Sequence, residues 1–448
     1  MIQRADPARI RHRLPYGGHP GRGLAMVLVA FALRAGYALL AHGGHPVPAS
    51  DSAEYDTVAW NLARGLGFAL DGRSGPYPTA FVPPVVPALT ALLYRGVGHR
   101  YDAALLLQCG IGALVPPLLA GFAGMLYGRA VGALAGWLAV FAPLLVFFSG
   151  YLLTETTFCV TLLVALIASA AWVRTPTARR ALAAGVAWGA AALTRPSALP
   201  LPLLVAAWAW VPLGLSLGAG GRARQLGLMV VGLALVIAPW TLRNASTLHA
   251  FVPVTTGAGR ALLDSNNPVV WNDPAQRGGA IGTYALEPWA SRFRGLSEPA
   301  ADTYARGEAL AFLRAHVREW PAMAGAKLAR FWRVRSEGGG TGSWARAGSP
   351  LGRLRAIVDP LLLWSIVALP LALWGLVRTW RGARRWFQLL PALVIVAFTL
   401  FALPFWGALR MRVPVEPLVV LFAAAGLDDV RRRWRSRARG LKLVAQRR

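Results

Sequence analysis

Ten apolar runs, each close to the roughly 20 residues that a helix needs to cross a bilayer, constrain this chain more than any other feature. They fall at about 24–41, 105–126, 130–149, 152–173, 181–197, 199–218, 225–242, 358–377, 386–406 and 413–427. Composition agrees. The 448 residues are 56% hydrophobic with a mean hydropathy of +0.47, and only 15% are charged, against roughly a quarter in soluble proteins. The expected fold class is an all-α polytopic membrane protein. The first run reads as a retained span rather than a leader, because no small-residue cleavage site precedes HGGHP and Arg34 lies inside it.

Short basic loops set the expected orientation. The N-terminal tail (Arg4, Arg9, Arg11, Arg13, Arg22), Arg129, RTPTARR (174–180), GRAR (221–224), RTWRGARR (378–385) and RRRWRSRARG (431–440) all fall on one side if ten spans are counted from a cytoplasmic N-terminus. An odd count would break the agreement. The net charge of +28 then reads as tails resting on anionic cytoplasmic lipid. No basic stripe interleaved with aromatics on a soluble domain points to nucleic acid. The chain divides into a basic tail (1–23), a bundle of about seven helices (24–242) including a first outer loop (42–104), an outer segment (243–357), about three further helices (358–427) and a second basic tail (428–448). Within the outer segment, residues 298–335 read as two amphipathic interface helices divided at Pro321, with Ala309, Leu310, Leu313 and Val317 on one face and Arg314 and Arg318 on another. EGGGTGSWARAGSP (337–350) reads as a flexible loop or lid.

Polar residues gather at the outer ends of the spans. The first outer loop carries DSAEYDTVAW, with Asp51, Glu54 and Asp56 within six residues of a chain that has only 19 acids against 47 Lys and Arg. Glu155 opens the fourth span, Arg195 closes the fifth, and Arg243 and Asn244 close the seventh. Asp264, Asn266 and Asn267 follow shortly after, and Arg410, Arg412 and Glu416 flank the turn into the last span. Bland roles exist for each. Asp51 and Glu54 have capping-box form, and Tyr55, Val58, Ala59 and Leu62 give amphipathic helical spacing. Arg34, Arg195, Arg410 and Arg412 can snorkel to headgroups, Asn266 and Asn267 suit a turn, and Asp56 reads as solvated. Glu155 is harder to dismiss, because a carboxylate near a span usually faces a cavity or a partner. The signal lies in the set.

Carboxylates and arginines on the outer side suit sugar transfer from a lipid carrier. A carboxylate can deprotonate an acceptor hydroxyl, while arginine neutralises the charge building on a departing phosphate. No Gly-rich phosphate loop occurs, the two cysteines (Cys109, Cys159) lie inside spans, and HGGH (42–45) offers only two metal ligands. A divalent metal is possible but nothing indicates one, and no cofactor is certain. The rival reading from another class is a transporter or flippase of lipid-linked sugars. It would place ionisable groups near the midplane, where only Arg34 sits here.

The ordered set SDSAEYDTVAWNLARGLGF, PTAFVPPVVPALTALLY, LLTETTF, AALTRPSAL, APWTLRNASTLHAFVPVTTGAGRALLDSNNP and RMRVPVEPLVVLFAAAG resembles bacterial GT-C glycosyltransferases. More narrowly, it is similar to the family 39 group related to protein O-mannosyltransferases, ArnT-type aminoarabinose transferases and Rgt-type galacturonosyltransferases. The resemblance runs from about residue 24 to 427. It implies a GT-C membrane fold with juxtamembrane helices, and an inverting transferase with a polyprenyl-phosphate sugar as donor. It also implies an outer-face active site in the bacterial cytoplasmic membrane and a lipid, glycan or protein acceptor, while the basic loops put both termini on the cytoplasmic side. By position, Asp51 is the implied base and Glu54 the second candidate. Arg195, Arg243 and Asn244 are implied to lie near the donor phosphate or sugar; Glu155, Arg34, Asn266 and Asn267 join them as donor-side candidates, with Tyr55, Arg410 and Arg412 as acceptor or outer-face candidates. Two departures stand out. Val82 precedes Pro83 and Pro84 where the family often has a basic residue, and Asp51 is followed by Ser52 where the O-mannosyltransferases carry Asp-Glu. The sugar, the acceptor and the oligomeric state are not legible in the sequence.

Overall fold

The structure, a computed structural model, describes residues 20–41, 47–48, 50–72, 74–214, 216–334, 359–380 and 385–445. The N-terminal arginines up to Arg13, HGGH, the 337–350 loop and part of RTWRGARR lie outside them. Every predicted run contains a helix: α1 (Pro20–Ala41), α4 and α5 (Tyr101–Gly112, Val115–Tyr127), α6 and α7 (Arg129–Phe141, Pro143–Phe148), α8 (Thr154–Arg174), α9 (Ala178–Thr194), α10 (Leu201–Gly214), α11 (Ala219–Leu248), α17 (Pro360–Thr379), α18 (Arg385–Phe401) and α20 (Glu416–Ala445). Among the described residues, five stretches are long and apolar enough to cross a membrane: Gly21–Ala41, Tyr101–Tyr127, Thr154–Arg174, Ala219–Leu248 and Pro360–Arg378. The chain is a multi-pass membrane protein. The other predicted spans are shorter or, in α20, run on into a charged stretch.

Prolines set the breaks. Pro116 and Pro117 fall in the first turn of α5, where a missing N–H costs nothing, and so separate it from α4. Pro143 ends α6 in the same way, depriving the Ala139 carbonyl of its usual helical donor. Arg34, fully buried, supplies replacements: its guanidinium donates to the carbonyls of Ala139 (3.3 Å), Val140 (3.3 Å) and Ala30 (3.2 Å). A cation at a helix C-terminus is also favoured by the macrodipole. Arg34 thus pins α1 to the end of α6 and is neither snorkelling nor open to a donor.

Glycine lets the helices approach. A Cβ at Gly232 of α11 would lie 2.3 Å from the Leu182 carbonyl oxygen of α9, and one at Gly185 would lie 1.9 Å from the Met229 oxygen. Gly375 of α17 and Gly426 of α20 interlock similarly. Small residues at such crossings bring backbones into van der Waals contact, the force that associates helices where lipid removes the hydrophobic drive. Phe122, Phe158, Trp172, Trp188 and Phe422 fill the core between them.

The two long connections meet at one end of this bundle. The first carries α2 (Asp51–Ala63), an antiparallel hairpin of β1 (Ala69–Gly72) and β2 (Gly75–Pro78), and α3 (Val85–Val97). The second carries α12 (Ala258–Ser265), α13 (Pro268–Asn272), α14 (Trp289–Phe293), α15 (Glu298–Ala315) and α16 (Trp320–Phe331). Glu298 joins them, accepting from Thr79 Oγ1 (2.5 Å), Ala80 N (2.9 Å) and Thr256 Oγ1 (2.5 Å). The break between α15 and α16 falls at His316–Glu319 and not at Pro321, which sits in the first turn of α16. Ala309 packs against Leu263 and Trp289, while Leu310 and Val317 are exposed.

Candidate active site

Helix α2 starts at Asp51. Ser50, at φ 53°, is its N-cap and makes no side-chain capping bond, so the capping-box reading of Asp51 and Glu54 does not hold. The Asp51 carboxylate turns instead to the guanidinium of Arg410, on the short helix α19 (Leu409–Arg412). Arg410 Nε in turn donates to Glu155 in the first turn of α8. Arg195, which caps the C-terminus of α9, donates to the same Glu155 oxygen at 2.7 Å and reaches Thr154 Oγ1 at 3.4 Å and Met411 Sδ at 3.1 Å. Four charges of alternating sign therefore run inward as Asp51, Arg410, Glu155, Arg195. Exposure of the side chains falls along the row from 44% at Asp51 to 0% at Glu155. A carboxylate so deeply buried costs several kcal/mol unless paired; two guanidinia and the N-terminus of α8 offset it. Because α8 begins at Thr154 and ends at Arg174, and α9 returns from Ala178 to Thr194, the row lies at the bundle end opposite the basic 174–180 loop.

Other charged groups face the opening. Glu54, one turn along α2 from Asp51, makes no hydrogen bond among the described residues. Burial, with the Asp51 charge adding to it, pushes its carboxyl up to about 7, against the opposing pull of Arg260 and Arg410. Tyr55 is buried on the same helix, and burial holds its hydroxyl well above the usual phenol range. Asp264 is raised by burial while accepting from Thr283 N (2.8 Å) and Oγ1 (2.6 Å).

The remaining candidates are drawn into scaffolding. Arg243 donates to the carbonyls of Thr79 (2.6 Å) and Phe68 (2.8 Å) and packs on the Trp240 and Phe68 rings. Asn244 holds the returning chain at Val252 (3.0 Å), and Asn267 caps α13 through Val270 N (3.0 Å). Asn266 donates to Pro404 O and accepts from the buried Lys327 Nζ at 2.9 Å. Arg412, also buried, donates to Arg333 O and pairs with Glu416 at 3.3 Å, so it does not snorkel. Asp56 is not solvated: it is 4% exposed, accepts from Tyr94 and meets His99 Nε2 at 2.8 Å. Sequence reasoning passed over Arg260, Glu298, Asp302 and Lys327, whose roles depend on partners distant in the chain. Among the described residues, no group of three or more His, Cys, Asp or Glu is placed to hold a metal ion.

Comparison with solved structures settles the architecture. The oligosaccharyltransferase AglB from Archaeoglobus fulgidus, in complex with an inhibitory peptide and a dolichol-phosphate, superposes with a TM-score of 0.57 at 13% identity, over 94% of this chain and 52% of that one. The chain has a GT-C fold. The apo form of the same archaeal enzyme gives a TM-score of 0.53 at 15% identity over 94% and 52% of the two chains. This GT-C chain thus spans about half the length of the oligosaccharyltransferase it matches. ArnT from Cupriavidus metallidurans, bound to undecaprenyl phosphate, aligns over 92% of this chain and 78% of that one at 14% identity, with a TM-score of 0.43 that falls short of establishing a shared fold. No protein-family model matches the sequence, and no curated protein matches it.

Proposed function

We propose that this GT-C protein is an integral-membrane glycosyltransferase that moves a sugar from a polyprenyl-phosphate carrier to an acceptor hydroxyl, at the outer face of the bacterial cytoplasmic membrane. The observation that carries the reading is the Asp51–Arg410–Glu155–Arg195 row. It presents one accessible carboxylate, held in place by a buried ionic base, at the bundle end opposite a basic loop. The dolichol-phosphate bound in the AglB complex supports the carrier class.

Asp51 acts as general base. The acceptor oxygen attacks the anomeric carbon as its proton passes to the Asp51 carboxylate. The bond from that carbon to the carrier phosphate breaks, and the electron pair leaves on the phosphate. One displacement inverts the anomeric centre. Arg410 orients the Asp51 carboxylate and adds positive charge beside the departing phosphate. Glu155 and Arg195 hold Arg410 without meeting solvent freely.

Purified protein in detergent, given polyprenyl-phosphate sugars and an acceptor extract, tests the reading. Asp51→Asn is expected to lower transfer by on the order of 10²–10⁴-fold while the protein folds and retains donor. Unchanged transfer would remove Asp51 from the mechanism. Movement of lipid-linked sugar across proteoliposomes with no covalent transfer would assign a transporter instead.

A further inference from the structure

Most arginines at the mouth of the site are already engaged: Arg410 and Arg195 by Glu155, Arg412 by Glu416 and Arg333, and Arg243 by two carbonyls. Arg260 is different. Its guanidinium carbon lies 4.6 Å from the centre of the Phe81 ring and 4.8 Å from that of Tyr284. Its side chain makes no hydrogen bond among the described residues, and its Nε is buried without a partner. Two carboxyls that feel its charge leave it uncommitted. Asp264 is spent on Thr283, and Glu54 acts on Arg260 through space without bonding to it.

The backbone beneath is fixed. Asp302 Oδ1 accepts from Gly257 N (2.8 Å), Gly259 N (2.7 Å) and Arg260 N (3.3 Å), tying the start of α12 to α15. A Cβ at Gly259 would lie 2.0 Å from the Asp302 carbonyl, so the two helices touch there. Two aromatic contacts restrict the guanidinium and desolvate it, leaving its edge as the hydrogen-bonding surface. A planar donor fork held this way matches the paired oxygens of a phosphate or carboxylate.

We propose that Arg260, held by Phe81 and Tyr284, is an oxyanion receptor at the mouth of the site, taking the phosphate or carboxylate of a substrate on the edge of its guanidinium. The assignment rests on the reading of this site as that of a transferase using lipid-phosphate donors. It places substrate charge on a cation outside the neutral Asp51–Arg195 row, so that binding need not break the ion pairs that position the base.

Binding measured without turnover separates the two ideas. In nanodiscs, the affinities of Arg260→Gln for a polyprenyl phosphate and for the matching polyprenol are compared with those of the unaltered protein. A second arm compares a uronic acid with its neutral parent hexose. A phosphate affinity weakened by about tenfold or more, with polyprenol unchanged, supports the proposal and names the carrier phosphate. The same loss confined to the uronate supports it and names a substrate carboxylate. Unchanged affinity for both anions, or equal weakening of polyprenol, overturns it. Arg260→Lys, which keeps the charge but not the fork, carries the test if the glutamine variant does not fold. Several-fold weaker anion binding is then expected, and none would overturn the proposal. A protein that binds polyprenyl phosphate through Arg260 yet transfers no sugar would sink the transferase reading and leave the receptor standing.

Discussion

Asp51 and Glu155 share the guanidinium of Arg410, yet one is 44% exposed and the other fully buried. The shared cation therefore does two jobs that a substitution can separate. At Glu155 it neutralises a charge that water cannot reach; at Asp51 it orients a carboxylate that substrate can reach.

Removing Arg410 should expose that difference. Arg410→Gln leaves Glu155 with Arg195 as its remaining cation, and breaking a buried ionic set of this kind costs about 3–5 kcal/mol. A clearly lower thermal midpoint is expected, together with loss of transfer. In the double variant with Glu155→Gln, part of the stability should return, because the fully buried carboxylate is gone and the second change takes an ionic partner only from Arg195, 12% exposed, while transfer stays low. If stability does not recover in the double variant, Glu155 is not the group that needs Arg410.

Glu54 should give the protein a pH signature. Its folded carboxyl is raised to about 7 from an ordinary 4.5, so between those values the folded state binds more protons than the unfolded one. Stability then falls as pH rises through that window and stays lower above it. Glu54→Gln is expected to remove this component, leaving a flatter profile of thermal midpoint between about pH 5 and 8. Parallel profiles for the two proteins would show that Glu54 is solvated in the native state.

The sequence disclosed the parts of the site more readily than their assembly. Asp51, Glu155, Arg195 and Arg410 each stood out because charge beside an apolar span is costly. That Arg410 closes on a residue 359 positions away was invisible, since nothing local encodes the pairing. The partners of Arg243 and Asn244 were hidden for a related reason. Helix α11 continues past Pro239 to Leu248, so Arg243 holds carbonyls of the first connection while Asn244 holds those of Val252 and Val254 in the chain returning after α11. Asp56 read as solvated because its partners, Tyr94 and His99, arrive only when α3 folds back on α2. The spans themselves were the most legible part, being written in composition.

The Asp56 cluster is expected to matter for stability before chemistry. It joins α2, which carries Asp51, to the end of α3, and His99 also stacks on Trp60 at 4.7 Å between ring centres. Asp56→Ala removes a buried charge-assisted acceptor and should cost about 2–3 kcal/mol. Transfer should decline only as far as α2 is displaced, so a low-temperature assay should recover more activity than for Asp51→Asn. Equal loss at all temperatures would instead give Asp56 a part in the reaction.

Helix packing offers a test that does not involve the site. Gly232 and Gly227 lie on the same helix, α11, two turns or less apart, and differ only in what surrounds them. A Cβ at Gly232 meets backbone on α9, 2.3 Å from the Leu182 oxygen and 3.0 Å from the Val186 nitrogen, while at Gly227 there is nothing within 4 Å. Backbone cannot rotate away as a side chain can, so Gly232→Ala must push α9 and α11 apart. Overpacking of this kind costs about 1–3 kcal/mol, and loss of close contact between spanning helices adds to it. Gly227→Ala, by contrast, gains helix propensity of up to about 1 kcal/mol at an exposed position. Opposite signs of thermal shift are expected for the two alanines. Similar shifts for both would mean that α9 and α11 do not cross at Gly185 and Gly232 as described.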